Sequence, residues 1–128
     1  MKKIFFFVLF SLLNYFSFSQ SLIFCEKVSA GKAEKPSHIF RIGRDGGFFQ
    51  FLGVLDKPVN TSEVKMDIFR VDESGKEIFD ATVTVKVQNE WVWFSKQVSF
   101  YKGGDYTVYA YTAEDKLLCT GMVKVIAE

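Results

Sequence analysis

From Ala81 to Gln88 the chain alternates without a break, with Ala81, Val83, Val85 and Val87 on one side and Thr82, Thr84, Lys86 and Gln88 on the other. Successive side chains of a strand point to opposite faces, so this segment reads as a strand with one face buried and one face wet. The same pattern recurs at Val64, Met66 and Ile68, which oppose Lys65 and Asp67. No window repeats apolar residues at the three-four spacing of an amphipathic helix. Turn chemistry separates the alternating runs: Arg44-Asp45-Gly46-Gly47, Asp72-Glu73-Ser74-Gly75 and Lys102-Gly103-Gly104-Asp105. Glycine in such turns takes positive φ without steric cost. Strands are expected at 22–28, 38–42, 48–55, 64–71, 81–87, 106–112 and 117–126, with short pieces at 76–79, 91–94 and 98–101, the last two forming either one bent strand or a strand and a connection. The polar stretch 29–37 reads as a loop. Seven to eight short strands at this spacing predict an all-β sandwich. Every pairing is expected to be antiparallel, because no connection is long enough for a helical crossover.

The first residues have a different character. Met1-Lys2-Lys3 is a short basic start, and positions 4–18 are apolar and aromatic except for Ser11, Asn14 and Ser17. Ser17-Phe18-Ser19 then places small residues where a signal peptidase reads. The expected organisation is a cleaved signal at 1–19 and one domain at 20–128, in the periplasm or outside the cell. The apolar run is shorter than the ~20 residues a membrane-spanning helix needs, so no span is expected in the mature chain. Two of the 16 basic residues leave with the signal, so 14 face 15 acidic ones, a net of −1. That balance supplies no basic face for nucleic acid.

Cys25 and Cys119 are the two cysteines. An even count in an exported chain reads first as a disulfide. Closing so long a loop is worth about 4–5 kcal/mol in the chain-entropy account. The other reading is two buried thiols acting as small hydrophobes. A lipid-modified Cys25 fits less well, because bulky Phe24 precedes it.

The segment Phe100-Tyr101-Lys102-Gly103-Gly104-Asp105-Tyr106-Thr107-Val108-Tyr109-Ala110-Tyr111 resembles the penultimate-strand signature of immunoglobulin-like, fibronectin-III-like and PKD-like domains. Gly104, Tyr106 and Val108 fit its Gly-x-Tyr-x-Val pattern. The resemblance implies an immunoglobulin-like sandwich in which the Tyr106 ring is buried and its hydroxyl ties down the preceding loop. The chain is also similar to exported single-domain proteins of gram-negative bacteria. A superfold of this breadth implies no particular activity.

The inventory of reactive groups is thin. His38 is the only histidine, which is too few for zinc or blue copper at any usual ligand spacing. No Gly-x-Ser-x-Gly elbow occurs, and the Gly46-Gly47 turn leads into a strand where a phosphate loop would lead into a helix. The acidic tips Asp72-Glu73 and Glu114-Asp115 lack the alternate-position spacing of a calcium loop. No catalytic residue, metal site or cofactor is therefore expected. Aromatics remain. Trp91 and Trp93 should share one face of a strand with Val92 and Phe94 on the other, and Tyr109 and Tyr111 should oppose Tyr106. The simplest reading of the tryptophans is core. If Trp91, Trp93, Tyr109 or Tyr111 are open, they form a candidate contact surface. The expected function is a non-enzymatic binding module whose partner is a protein or a glycan. The alternatives are a carbohydrate- or ligand-binding module using an aromatic face, and a small exported enzyme.

Overall fold

A computed structural model describes residues 21–128 of the chain. The expected signal at 1–19 and its cleavage site lie outside the described residues. Nine strands run in the order β1 Leu22–Ser29, β2 Lys32–Pro36, β3 Ile39–Ile42, β4 Gly47–Val54, β5 Glu63–Val71, β6 Glu77–Lys86, β7 Trp93–Phe100, β8 Gly104–Thr112 and β9 Leu117–Ala127. They form two sheets, β2-β1-β4-β7 and β3-β9-β8-β5-β6. The penultimate strand β8 lies between β9 and β5, and the first long strand β1 lies beside β4 in the opposite layer. This is an immunoglobulin-like β-sandwich.

The alternation places the core. Val64, Met66 and Ile68 of β5 are buried, and so are Tyr106, Val108 and Ala110 of β8. From the facing sheet come Phe24, Phe49, Phe51, Phe94, Val98 and Phe100. The Phe49 ring stacks between Phe40, at 4.1 Å, and Phe100, at 4.9 Å between centroids. Offset or stacked pairs of this kind add to the gain from burial alone.

The corner before β8 follows the sequence signature. Gly104 has φ 149°, and a Cβ there would sit 2.8 Å from Arg70 Nε. The same guanidinium donates from Nη2 to the Gly103 carbonyl at 2.9 Å. Glycine is required here twice over, by conformation and by the close approach of Arg70. Two residues on, the Tyr106 hydroxyl donates to the Lys102 carbonyl at 2.8 Å and fastens the turn.

Three expectations are corrected. First, there are nine strands among the described residues, not seven to eight. β2 arises inside the stretch read as a loop, because Lys-Ala-Glu-Lys-Pro has no alternation and pairs with β1 through its backbone. The pieces at 76–79 and 81–87 are one strand with a register shift opposite Ile68 and Phe69, which leaves Asp80 as the extra residue. Second, β3 and β9 are parallel. Short connections forbid a parallel pair only between consecutive strands, and these two come from opposite ends of the chain.

The third correction concerns the cysteines. Cys25 and Cys119 are both free and both buried. β1 and β9 belong to different sheets, although Ser21, just before β1, makes an isolated bridge to Thr120 of β9. Cys119 pairs with Ala110 and belongs to the core. Cys25 follows core residue Phe24 and pairs with Gln50, whose other neighbour is Gln97, so it lies on the outer face of its sheet. A bridge would have to pass through that sheet.

Candidate contact surfaces

Trp91 and Trp93 are not core residues: they are 41 % and 37 % exposed. β7 begins only at Trp93, so alternation governs Trp93 and Phe94 and not Trp91 and Val92. Phe94 and Trp93 lie on opposite faces, as alternation requires, but it is Phe94 that turns inward and Trp93 outward, against the core reading of the tryptophans, and Val92 is exposed.

The backbone that carries these side chains is held firmly. Trp91 N–H donates to the Gln88 carbonyl at 3.0 Å, and the Trp91 carbonyl accepts from Val59 N–H at 2.7 Å. The Val92 carbonyl accepts from Leu55 N–H at 2.8 Å, and the Asn89 carbonyl accepts from Asn60 N–H at 2.9 Å. The 55–60 loop thus splints the 88–92 turn. In turn, Thr61 Oγ1 accepts from Ala113 N–H, which ties this loop to the β8–β9 turn. Exposed indoles on an immobilised backbone lose little entropy when they are covered.

Around them lies a cleft of about 600 Å³, lined by Val85 and Lys86 of β6, Glu90, Trp91, Trp93 and Ser95. The cleft opens where the edge strands β6 and β7 of the two sheets meet. On its other side the Trp93 indole lies against the β1–β2 turn, so close that a Cβ on Gly31 would be 2.8 Å from Nε1. Trp93 is therefore a wall of the cleft, and Trp91 is its freer aromatic.

Tyr109 and Tyr111 face outward from the five-stranded sheet, opposite Tyr106, as alternation requires. Both are half-buried. The Tyr109 ring packs edge-on against Phe69 at 5.6 Å, and Phe69 in turn against Phe79 at 5.7 Å. Its hydroxyl donates to the Glu77 carboxylate at 2.8 Å to Oε2. The tyrosines and the tryptophans thus occupy separate surfaces. The exposed apolar side chains on the tyrosine face include Phe79 and Met122, at 57 % and 65 %. Neither stood out in the sequence. Met122 sits beside Gly121 with nothing to mark its outward turn, and Phe79 sits directly beside the bulge.

The Glu77 hydrogen bond, helped by partial burial, pushes the Tyr109 phenol up to about 12. The folded state therefore holds this proton over a range where a free tyrosine, with pKa near ~10, has released it. Folding stability from this group is complete below pH ~10 and is lost as pH rises toward about 12. Tyr109→Phe should remove that part of the alkaline stability loss and delete a step near about 12 from a tyrosinate absorbance titration. An unchanged alkaline profile would show that the bond is absent in solution.

The remaining polar candidates are engaged in structure. Asp72 Oδ1 accepts from the Ser74 hydroxyl and from the Ser74 and Lys76 N–H groups, which hold its carboxyl below the usual range. Asp115 pairs with Lys65 at 2.6 Å. His38 is exposed, with Nδ1 3.3 Å from the Met122 carbonyl. Among the described residues no three His, Cys, Asp or Glu side chains gather as metal ligands would, and no helix is long and apolar enough to cross a membrane.

No family model matches the chain, and no curated protein matches it in sequence. Among solved structures, an immunoglobulin-like protein from Pseudomonas aeruginosa is similar over 83 % of this chain and 90 % of its own, at 14 % identity and a TM-score of 0.48. A superoxide reductase (neelaredoxin) from Ignicoccus hospitalis is similar over 84 % of this chain and 83 % of its own, at 11 % identity and a TM-score of 0.42. Likeness of this degree transfers neither a site nor an activity.

Proposed function

We propose that this is an exported binding domain that works by contact and not by turnover, through the cleft of Trp91 and Trp93. The observation that carries the reading is the pair of exposed indoles on a backbone fixed by the 55–60 loop. Indoles placed this way are the usual anchors of protein interfaces. The acids and the single histidine support it further, since they are scattered over strands and turns and no three of them gather among the described residues, whereas acid–base catalysis needs them convergent. A glycan is the second reading, favoured by Lys86 and Glu90 on the same cleft, which could hydrogen-bond a sugar stacked on an indole.

The test is a pull-down from the cell envelope of origin, repeated with Trp91→Ala combined with Trp93→Ala. The wild-type protein should retain a partner, and the variant should lose about 30-fold or more in affinity for each indole that acts as an anchor. Tyr109→Ser with Tyr111→Ser should retain the partner. Binding that survives loss of both indoles but not of the tyrosines would move the contact to the five-stranded sheet. Hydrolytic or redox activity removed by His38→Ala would replace the whole reading with an enzyme.

A further inference from the structure

The sandwich has four sheet edges, and three carry devices that discourage an added strand. β2 is five residues long, ends on Pro36 and has Lys35 at φ 55°. β3 is four residues long. β7 puts Lys96 on the same face as Phe94 and Val98, an inward-pointing charge on an edge strand. Short strands, proline and inward charges are the usual guards against edge-to-edge pairing. β6 differs. Its bulge at Asp80 disturbs one end only: the strand is ten residues long and last in its sheet among the described residues, and beyond the bulge Ala81-Thr82-Val83-Thr84-Val85 holds no charge, proline or glycine. Val83 and Val85 face the core yet stay only half-buried, because among the described residues no strand lies beyond them.

We propose that β6 is the interface of a symmetric homodimer, in which residues 80–86 of two copies pair antiparallel about Val83 and join two five-stranded sheets into one. The register follows from side-chain chemistry. Centred on Val83, the arrangement sets Thr82 against Thr84 on the outer face and Ala81 against Val85 on the inner face. It also sets Asp80 of each copy against Lys86 of the other, closing both ends with opposite charges. A slip of one residue sets outward-facing residues against inward-facing ones, with threonine against valine at its centre. A slip of two keeps the faces but leaves Asp80 and Lys86 without each other. Because the same strand serves both copies, the contact is isologous and uses up both open edges, so assembly stops at two. The paired segment takes in Val85 and Lys86, which also line the tryptophan cleft, whereas Trp91 and Trp93 lie outside it, so the indole variants test the cleft and the charge swaps test the dimer.

Sedimentation of the purified protein over a concentration series tests it. The wild type should approach twice the chain mass. Asp80→Lys and Lys86→Asp each replace two opposite-charge pairs by two like-charge pairs, and each should weaken the dimer about tenfold. The double variant, with the charges exchanged, should recover wild-type affinity. Both positions are exposed, and far-UV circular dichroism confirms that each variant is folded. Hydrogen exchange gives a readout on the wild type alone, since amides in 80–86 should become more protected as concentration rises. A protein monomeric at every concentration would overturn the proposal. So would a dimer indifferent to the single swaps, larger assemblies, or exchange in 80–86 that ignores concentration.

Discussion

Replacing Tyr106 by alanine should destabilise the fold by about 3–5 kcal/mol, the cost of removing a buried aromatic ring. The ring is 3 % exposed and meets Phe100 edge-on at 4.9 Å between centroids. Small domains have only about 5–15 kcal/mol in total, so this one change removes a large share of it. Tyr106→Phe separates the two roles of the side chain. It keeps the ring and removes the hydrogen bond to the Lys102 carbonyl, which should cost about 1 kcal/mol. Tyr109→Ala should cost less than Tyr106→Ala, because Tyr109 lies on the outer face and is half-buried. Urea unfolding of the three variants checks the order. A near-silent Tyr106→Ala beside a severe Tyr109→Ala would mean that β8 is turned over, since a one-residue slip exchanges its faces.

That ordering is legible in the amino-acid sequence, because it rests on local rules. Gly104-Asp105-Tyr106-Thr107-Val108 states its corner and its inward face in five residues, and Val64 to Ile68 does the same for β5. What escaped the sequence is decided by non-local partners. β2 exists because β1 offers it a backbone to pair with, and its own side chains show no preference. The parallel pairing of β3 with β9 joins segments from opposite ends of the domain, which no local pattern encodes.

The tryptophans escaped for a related reason. Reading 91–94 as part of one strand fixes their faces by alternation. In the fold, however, the 88–92 turn takes its hydrogen bonds from the 55–60 loop, and the strand begins two residues later. The candidate site is therefore a consequence of a loop that splints a turn. Its residue types were visible in the sequence and their exposure was not.

The thiols provide the second large effect. Two free thiols are expected per chain when the protein is unfolded without reductant, and almost none should react while it is folded. Cys119 sits in the core, where burial pushes its thiol up to about 12. It holds almost no reactive thiolate at neutral pH. Labelling of Cys119 should wait for global unfolding and run roughly 10³-fold or more slower than in denaturant. Cys25 is also raised by burial, but its cover is different. It lies on the outer face of its sheet, against Pro36 of the edge strand β2. Opening that five-residue edge exposes Cys25 and leaves the core closed, so Cys25 should label before Cys119. In an oxidising compartment this shielding is what would keep the two sulfurs reduced, since oxidation requires that they first become accessible and then meet. Mass spectrometry after timed alkylation reads the order directly. Equal rates would show that both thiols are released by the same opening. A denatured, unreduced chain with no reactive thiol would show that the sulfurs are joined, which requires β1 to present Cys25 to the core.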